Sequence, residues 1–304
     1  LCRAVAPGNN SLMPALTLLL SLVVLSQSAI FVRMAEASAA VIGFWRMAIS
    51  LPVLLVLLLW KKRGREVTGL RSGQWWQLAL CGFFLFLHFY TWFLAVQNTS
   101  LAHAMILFCA NPLFTAIGAW IFFGEKAGPR HALAILLCFA GIYCLLSEEA
   151  AIHSLEGDLL GIACSILFSA YVLMSKGLRR HVQNVPFALV TYSFVTLYFF
   201  GAVIALDLPF VGYSEKTWAS FVALAFGSTL LGHSLFTQCL QYFPVNFLSI
   251  ATMVEPALTA VSGYFLFGEA VTKAGMVGFV LVALGILSLF IPWLKPSSRA
   301  VEKP

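Results

Sequence analysis

The sequence predicts an all-α integral membrane protein whose ten transmembrane helices form two inverted repeats of five helices. Three observations lead to this prediction. Hydrophobic residues make up 61% of the 304-residue chain and charged residues only 10%, whereas soluble domains carry about 25% charged residues. The apolar residues form long continuous runs, which suit spanning helices better than the alternating strands of a barrel. One stretch of the sequence also recurs at a fixed offset.

Ten apolar stretches of roughly 20 residues can each cross a bilayer as a helix. The first is too long for the core of a signal peptide and no small-residue cleavage site follows it, so we interpret it as a membrane helix. The connections are short, and the longer ones carry most of the charges. The predicted spans are residues 13–32, 40–60, 75–96, 101–123, 131–147, 157–176, 187–206, 218–240, 246–267 and 274–293.

The distribution of Lys and Arg predicts the orientation of the chain, because cytoplasmic loops of membrane proteins are enriched in both. With the N-terminus inside, 14 of the 18 basic residues fall in cytoplasmic segments, three fall in outer segments, and Arg46 lies within a helix. Both termini are therefore predicted to be cytoplasmic. The net charge of +6 follows from this asymmetry, and no stretch has the pattern of a nucleic-acid-binding patch. The 14 residues are Arg3, Lys61, Lys62, Arg63, Arg65, Arg71, Lys126, Arg130, Lys176, Arg179, Arg180, Lys295, Arg299 and Lys303.

An internal repeat gives the strongest indication of domain organisation. Residues 110–146 and 254–290 are identical at 10 of 37 positions, at an offset of 144 residues and without a gap. The repeat unit has five helices, an odd number, so the second copy is inverted in the membrane. The predicted organisation is an N-terminal tail 1–12, a first repeat 13–147, an outer loop 148–156, a second repeat 157–293 and a cytoplasmic tail 294–304.

Some identical pairs are interpreted as structural. The fourth and ninth predicted helices each contain a proline and each end in a Gly-Glu pair, with the glycine releasing the helix and the glutamate at the water boundary. The residues concerned are Pro112, Pro256, Gly124, Glu125, Gly268 and Glu269.

The two copies of Pro-x-x-Thr-Ala followed by Phe-Gly-Glu, together with the run Gly43–Met47, resemble the drug/metabolite transporter superfamily, EamA type. The resemblance covers nearly the whole chain apart from its tails. It implies ten helices in two halves, a central cavity, alternating access and, usually, export of small metabolites. Substrates of that family range over amino acids, nucleosides and other small solutes, so the resemblance implies a carrier without identifying its substrate.

Ionisable side chains within membrane helices are costly, so each is a candidate for function. Arg46 lies in the second predicted helix, where its guanidinium group could anchor a carboxylate or phosphate. Alternatively, it could extend toward the outer surface or bind backbone carbonyls freed at a helix break. Glu255 lies in the ninth helix beside Pro256, on a polar stripe predicted to face a cavity. Glu255 is also the candidate for proton coupling, and Pro256 is expected to leave a carbonyl near Val254 or Thr252 free.

Further candidates for substrate binding lie at similar depth. Asn111 occupies the position in the fourth helix that matches Glu255. His88 and His233 lie at nearly matched depths in the third and eighth helices, although packing is an alternative role for each. Tyr90, Trp92 and Tyr171 could form an aromatic wall with polar tips.

The function predicted from these residues is a secondary transporter of an amino acid or a similar zwitterion, with Arg46 binding the acidic group and Glu255 the amine or a coupling proton. A carrier of nucleosides, sugar-like solutes or other aromatic metabolites is the alternative. No Walker motif, clustered catalytic motif or filter loop favours a pump, an enzyme or a channel. The seven cysteines include no CxxC, so neither disulfides nor metal sites are predicted, nor is any cofactor. The expected location is a bacterial inner membrane, with protons or a counter-substrate as possible coupling partners.

Overall fold

The computed structural model describes residues 12–99, 101–146, 154–267 and 273–294. These residues form helices joined by short connections, without strands in the ranges described. A π-helical segment, Leu224–His233, joins α11 to α12, and a 3-10 segment, Thr252–Val254, joins α13 to α14. The helices are α1 (Leu12–Leu25), α2 (Ser28–Met34), α3 (Ala39–Trp60), α4 (Gly64–Thr68), α5 (Ser72–Asn98), α6 (Leu101–Phe108), α7 (Asn111–Phe123), α8 (Pro129–Leu146), α9 (Leu155–Leu178), α10 (Asn184–Ala205), α11 (Glu215–Ala223), α12 (Ser234–Cys239), α13 (Val245–Ala251), α14 (Glu255–Phe267) and α15 (Lys273–Leu294).

Within these ranges, eight stretches are long and apolar enough to cross a membrane, and two shorter apolar helices cover Pro129–Cys144 and Lys273–Ser288. The predicted all-helical membrane class is therefore confirmed. The number of spans and the side of the termini stay predictions. The apolar side chains that remain exposed, such as Phe122 and Phe265, are those expected to face lipid.

Four of the predicted spans are interrupted in the structure. The first bends at Ser26 and Gln27, the fourth at Cys109 and Ala110, and the ninth at the 3-10 segment, while the eighth widens into the π-helical segment. In the fourth and ninth spans a proline follows the interruption, at Pro112 and Pro256, where a missing amide hydrogen costs least. At these breaks, hydroxyl groups and prolines satisfy or remove the freed backbone groups.

Side-chain hydroxyl groups explain the π-helical segment and the first bend. Thr229 Oγ1 donates to the carbonyl of Leu224 at 3.0 Å, and Ser234 Oγ donates to the carbonyl of Thr229 at 3.2 Å, both five residues back. At the first bend, Ser26 Oγ donates to the carbonyl of Val23 at 2.7 Å. Such bonds compete with the regular helical ladder and bend it.

The helix boundaries reproduce the internal repeat. α14 begins and ends 144 residues after α7, and α15 begins 144 residues after α8. The helices also pack in matched pairs, with α3 against α10 and α8 against α15, while α5 packs on α9 and α1 packs on the π-helical segment and α12. Helices from the two halves of the sequence therefore interlock and share one core.

Candidate functional site

A small cavity lies where the four interrupted spans meet. A lining residue lies within or directly beside each interruption: Ser26, Phe108, His233 and Glu255. The cavity volume is about 30 Å³, enough for one or two water molecules. The complete lining is Leu25, Ser26, Ser28, Ala29, Arg46, His88, Phe89, Trp92, Met105, Phe108, Phe168, His233 and Glu255.

Arg46 is the fully buried cation of this cavity. Its Nε donates to Thr229 Oγ1 at 2.7 Å and its Nη1 to Ser28 Oγ at 3.4 Å, and the guanidinium carbon lies 4.1 Å from the centre of the Phe89 ring. Nη2 has no hydrogen-bond partner in the structure. The alternative in which Arg46 extends to the outer surface is wrong, because the side chain is held inside by hydroxyl groups and an aromatic face.

Glu255 begins α14 and lines the same cavity. In the described part of the chain, its carboxylate forms no ion pair and no hydrogen bond, and it does not pair with Arg46. The N-terminus of a helix carries a partial positive charge, which stabilises a carboxylate there. The carbonyl of Thr252, expected to be free for a ligand, instead accepts the amide of Glu255, because the chain tightens into a 3-10 turn before Pro256.

Two histidines face each other across the cavity. The ring centres of His88 and His233 lie 6.3 Å apart. His88 Nδ1 lies 3.2 Å from both the carbonyl oxygen and the Sγ of Cys164. In the tautomer that carries its proton on Nδ1, His88 donates a hydrogen bond to that carbonyl, and Nε2 is then an acceptor. His233 Nδ1 has no partner, so both rings retain unused hydrogen-bonding capacity.

Five of the eight predicted binding residues line the cavity: Arg46, Glu255, His88, His233 and Trp92.

Three others lie outside the lining. Tyr171 is fully buried, with its ring centre 6.4 Å from that of His233 and its hydroxyl group unpartnered. Asn111 Nδ2 donates to Thr252 Oγ1 at 3.3 Å and therefore connects the fourth and ninth spans at their interruptions. Tyr90 stacks on Phe86, away from the cavity.

Sequence reasoning missed the hydroxyl groups that hold Arg46. Ser28 lies in the polar triplet Ser26–Gln27–Ser28 within an otherwise apolar span, which is a signal that could have identified it. Thr229 lies 183 residues from Arg46 in the chain, and nothing in the sequence links the two.

The threonines of the repeated Pro-x-x-Thr motif make matched contacts to the opposite half of the sequence. Thr115 Oγ1 donates to Ser169 Oγ at 3.0 Å, and Thr259 Oγ1 donates to the carbonyl of Ser26 at 2.7 Å. The second bond satisfies the backbone at the first bend. Since Ser26 also lines the cavity, Thr259 holds one of its walls in place.

The Gly-Glu pair that ends α7 also connects the two halves. Gly124 has a left-handed backbone with φ of 66°, which glycine adopts without strain. Glu125 Oε2 accepts a hydrogen bond from the amide of Val245 at 3.2 Å, at the start of α13. The matching pair, Gly268 and Glu269, lies outside the described residues.

A family model described as the EamA-like transporter family matches residues 12–147 and again residues 155–291. The chain belongs to the EamA-like transporter family. The resemblance inferred from the Pro-x-x-Thr-Ala and Phe-Gly-Glu motifs is confirmed, and the protein is a multi-pass membrane transporter.

Similar proteins occur in both bacteria and archaea. An uncharacterized transporter of Synechocystis is 23% identical over 96% of this chain and 97% of its own length. An uncharacterized transporter of Archaeoglobus fulgidus is 26% identical over 67% of this chain and 72% of its own. The threonine/homoserine exporter RhtA of Escherichia coli is 26% identical over 65% of this chain and 63% of its own. A solved crystal structure shares the fold, with a TM-score of 0.75 and 21% identity over 93% of this chain and 99% of that one.

Proposed function

We propose that the protein is a secondary carrier that exports an amino acid or a similar zwitterion across a bacterial inner membrane by alternating access. One observation carries the proposal: an arginine with an unpartnered Nη2 and an unpaired carboxylate line the same cavity, at Arg46 and Glu255. Ionised groups inside a membrane protein require partners. A zwitterion brings one group of each sign and satisfies both at once.

The proposal gives each side chain a role that its contacts support. Thr229 and Ser28 hold two of the three guanidinium nitrogens of Arg46, so Nη2 is left to bind a substrate carboxylate. Glu255 binds the ammonium group, or carries a coupling proton when the site is empty. His88 and His233 offer hydrogen bonds to the remainder of the solute.

The relative from Escherichia coli supports amino acids as the substrate class and export as the direction, since it is named a threonine/homoserine exporter. The aromatic rings of Trp92, Phe108 and Phe168 favour the alternative of a nucleoside or another planar metabolite. A cavity of about 30 Å³ must expand for either solute, and less for a small amino acid.

Expansion follows from the proposed architecture of ten helices in two inverted repeats, with both termini cytoplasmic. The interruptions at Ser26, at Cys109 and Ala110, and at the 3-10 segment lie around the cavity. They allow the half-helices on one side of the membrane to move while the other side stays packed. A proton gradient or a counter-substrate drives the cycle.

Counterflow in proteoliposomes tests the proposal. Purified protein is loaded with unlabelled solute and offered radiolabelled amino acids and nucleosides, with and without a pH gradient. For any amino acid that is transported, its carboxamide and its decarboxylated amine are then tested as competitors. We expect saturable counterflow of an amino acid and weak competition by both derivatives, since each lacks the carboxylate that Arg46 binds. Transport of nucleosides without amino acids would contradict the zwitterion assignment.

Matched variants locate the site. Arg46→Gln and Glu255→Gln are each expected to lower counterflow by about 30-fold or more, as expected for removal of one partner of a buried charge pair. Arg33→Gln and Glu156→Gln make the same changes near the ends of α2 and α9 and should retain transport. Monodisperse elution and an unchanged melting temperature show that each variant is folded. Full transport by both cavity variants would overturn the assignment.

A further inference from the structure

A groove separate from the central cavity lies between α4 and the connection from α9 to α10. Its volume is about 430 Å³, and its polar lining is Arg65, Glu66, Gln74, His181 and Gln183. α4 packs on α10, so two segments that are 110 residues or more apart in the chain form one surface. Both segments carry the basic residues that predict a cytoplasmic location, and the structure brings them to the same end of the helix assembly.

The side chains of this groove are arranged as donors toward an anion. The guanidinium group of Arg65 is exposed and has no ion pair among the described residues. The carboxylate of Glu66, the acidic group in the lining, lies 3.7 Å from Arg63 Nε and is neutralised by it. Gln74 Oε1 accepts the amide of Arg71 at 2.9 Å. That bond uses one of the two lone pairs of the oxygen, and both N–H donors of the Gln74 amide stay available.

His181 and Gln183 complete the opposite wall. Both are exposed, and neither side chain has a hydrogen bond or ion pair in the ranges described. An arginine, a histidine and two carboxamides therefore converge on one groove with a single, already neutralised carboxylate. This donor set matches the several acceptor oxygens of a phosphate group.

Exposed tryptophans close in sequence to the groove residues indicate that the groove lies at the depth of phospholipid headgroups. Trp60, 76% exposed, ends α3, and Trp76, 71% exposed, lies in the first turns of α5. Exposed tryptophans mark the membrane–water interface. Lys61, Lys62 and Arg71, close in sequence to the groove residues and exposed, add positive charge to this end of the protein, which attracts anionic headgroups of the cytoplasmic leaflet.

We propose that this groove is a peripheral binding site for a phosphate group, supplied either by the headgroup of an anionic phospholipid or by a free phosphate ester. Arg65 binds the phosphate in a bidentate manner, and His181, Gln74 and Gln183 donate to its remaining oxygens. The site is independent of the transported solute, because it shares no residue with the central cavity.

Binding to the detergent-solubilised full chain tests the proposal with three probes: inorganic phosphate, short-chain phosphatidylglycerol and short-chain phosphatidylcholine. Thermal unfolding and native mass spectrometry report occupancy. Saturable binding of phosphatidylglycerol in preference to phosphatidylcholine, without competition by inorganic phosphate, identifies a lipid headgroup site. Saturable binding of inorganic phosphate identifies a free phosphate site. Either result supports the proposal, and failure of all probes to saturate overturns it.

Variants that each remove one positive charge, inside or outside the groove, distinguish specific binding from general electrostatic attraction. Arg65→Gln should weaken binding roughly five- to tenfold, as expected for one cation near an anionic headgroup, and His181→Ala should also weaken it, because one hydrogen-bond donor of the groove is lost. Lys126→Gln removes one exposed cation from the same predicted face, outside the groove, and should leave binding unchanged. Equal losses in Arg65→Gln and Lys126→Gln would show diffuse attraction and overturn the site.

Discussion

Gln97 and Gln241, 144 residues apart, make the same hydrogen bond at opposite ends of the molecule. Gln97 Nε2 donates to the carbonyl of Ala37 at 3.0 Å, and Gln241 Nε2 donates to the carbonyl of Arg179 at 3.1 Å. α9 shows that the ends are opposite: Ser154, before its first turn, donates to the carbonyl of Asn98, whereas Arg179 follows its last turn. A helix of 24 residues is about 36 Å long.

Breaking these two bonds should shift the carrier in opposite directions. Each bond ties the end of one long span to a neighbouring connection. Gln241→Leu therefore weakens the packing at the face predicted to be cytoplasmic, and Gln97→Leu weakens the packing at the opposite face. The reporter is Ser28→Cys in the cavity, labelled by a membrane-impermeant maleimide in right-side-out and inside-out vesicles. Gln241→Leu should increase labelling from the cytoplasmic face and Gln97→Leu from the outer face. The same background without Ser28→Cys corrects for native cysteines, and a shift in the same direction for both variants would contradict the prediction.

The sequence predicts the helical membrane class because the apolar runs and the repeat are local patterns. It also predicts that Arg46 and Glu255 are special, since an ionised residue stands out in an apolar span. It does not predict the helix interruptions, because they depend on hydroxyl groups such as Thr229, whose bond to Leu224 has no distinctive spacing. The partners of Arg46 come from distant helices, and only the packed structure brings them together. Tyr90 is predicted to line the cavity from its depth in the span, but depth does not determine which face of the helix meets the cavity.

The two threonines of the repeated motif should differ in their effect on transport. Thr259→Val removes the donor to the carbonyl of Ser26, whereas Thr115→Val removes a bond between two buried hydroxyl groups, with Ser169. Each variant should cost about 0.6–1.5 kcal/mol of stability. Thr259→Val should also raise the apparent KM, because Ser26 lines the cavity. Thermal unfolding and counterflow measure both effects, and equal KM values for the two variants would argue against a role for Thr259 in shaping the cavity wall.

The crossing of α8 and α15 should not tolerate an added methyl group. A Cβ on Gly141 would lie 2.7 Å from the carbonyl oxygen of Gly278 and 2.9 Å from the amide nitrogen of Val282, and backbone atoms cannot rotate away. We expect Gly141→Ala to destabilise the protein by about 1–3 kcal/mol. Gly201→Ala, in α10 with open space around it, is the matched control and should be neutral or stabilising by up to about 1 kcal/mol. Similar melting temperatures for the two variants would show that the helices separate without cost.

Glu125 should stabilise the protein as a helix cap supplied by the other half of the sequence. Its Oε2 accepts the amide of Val245 and its backbone carbonyl accepts Asn246 Nδ2 at 3.5 Å, so both contacts reach the start of α13. Glu125→Ala should lower the free energy of unfolding by about 1 kcal/mol, which is typical for loss of an N-terminal cap. Glu125→Gln should cost less, because the amide oxygen still accepts a hydrogen bond. Glu66→Ala, which removes only an exposed ion pair with Arg63, is the control and should cost less than about 0.5 kcal/mol. Thermal unfolding in detergent measures all three, and a Glu125→Ala protein as stable as the control would mean that solvent replaces the cap.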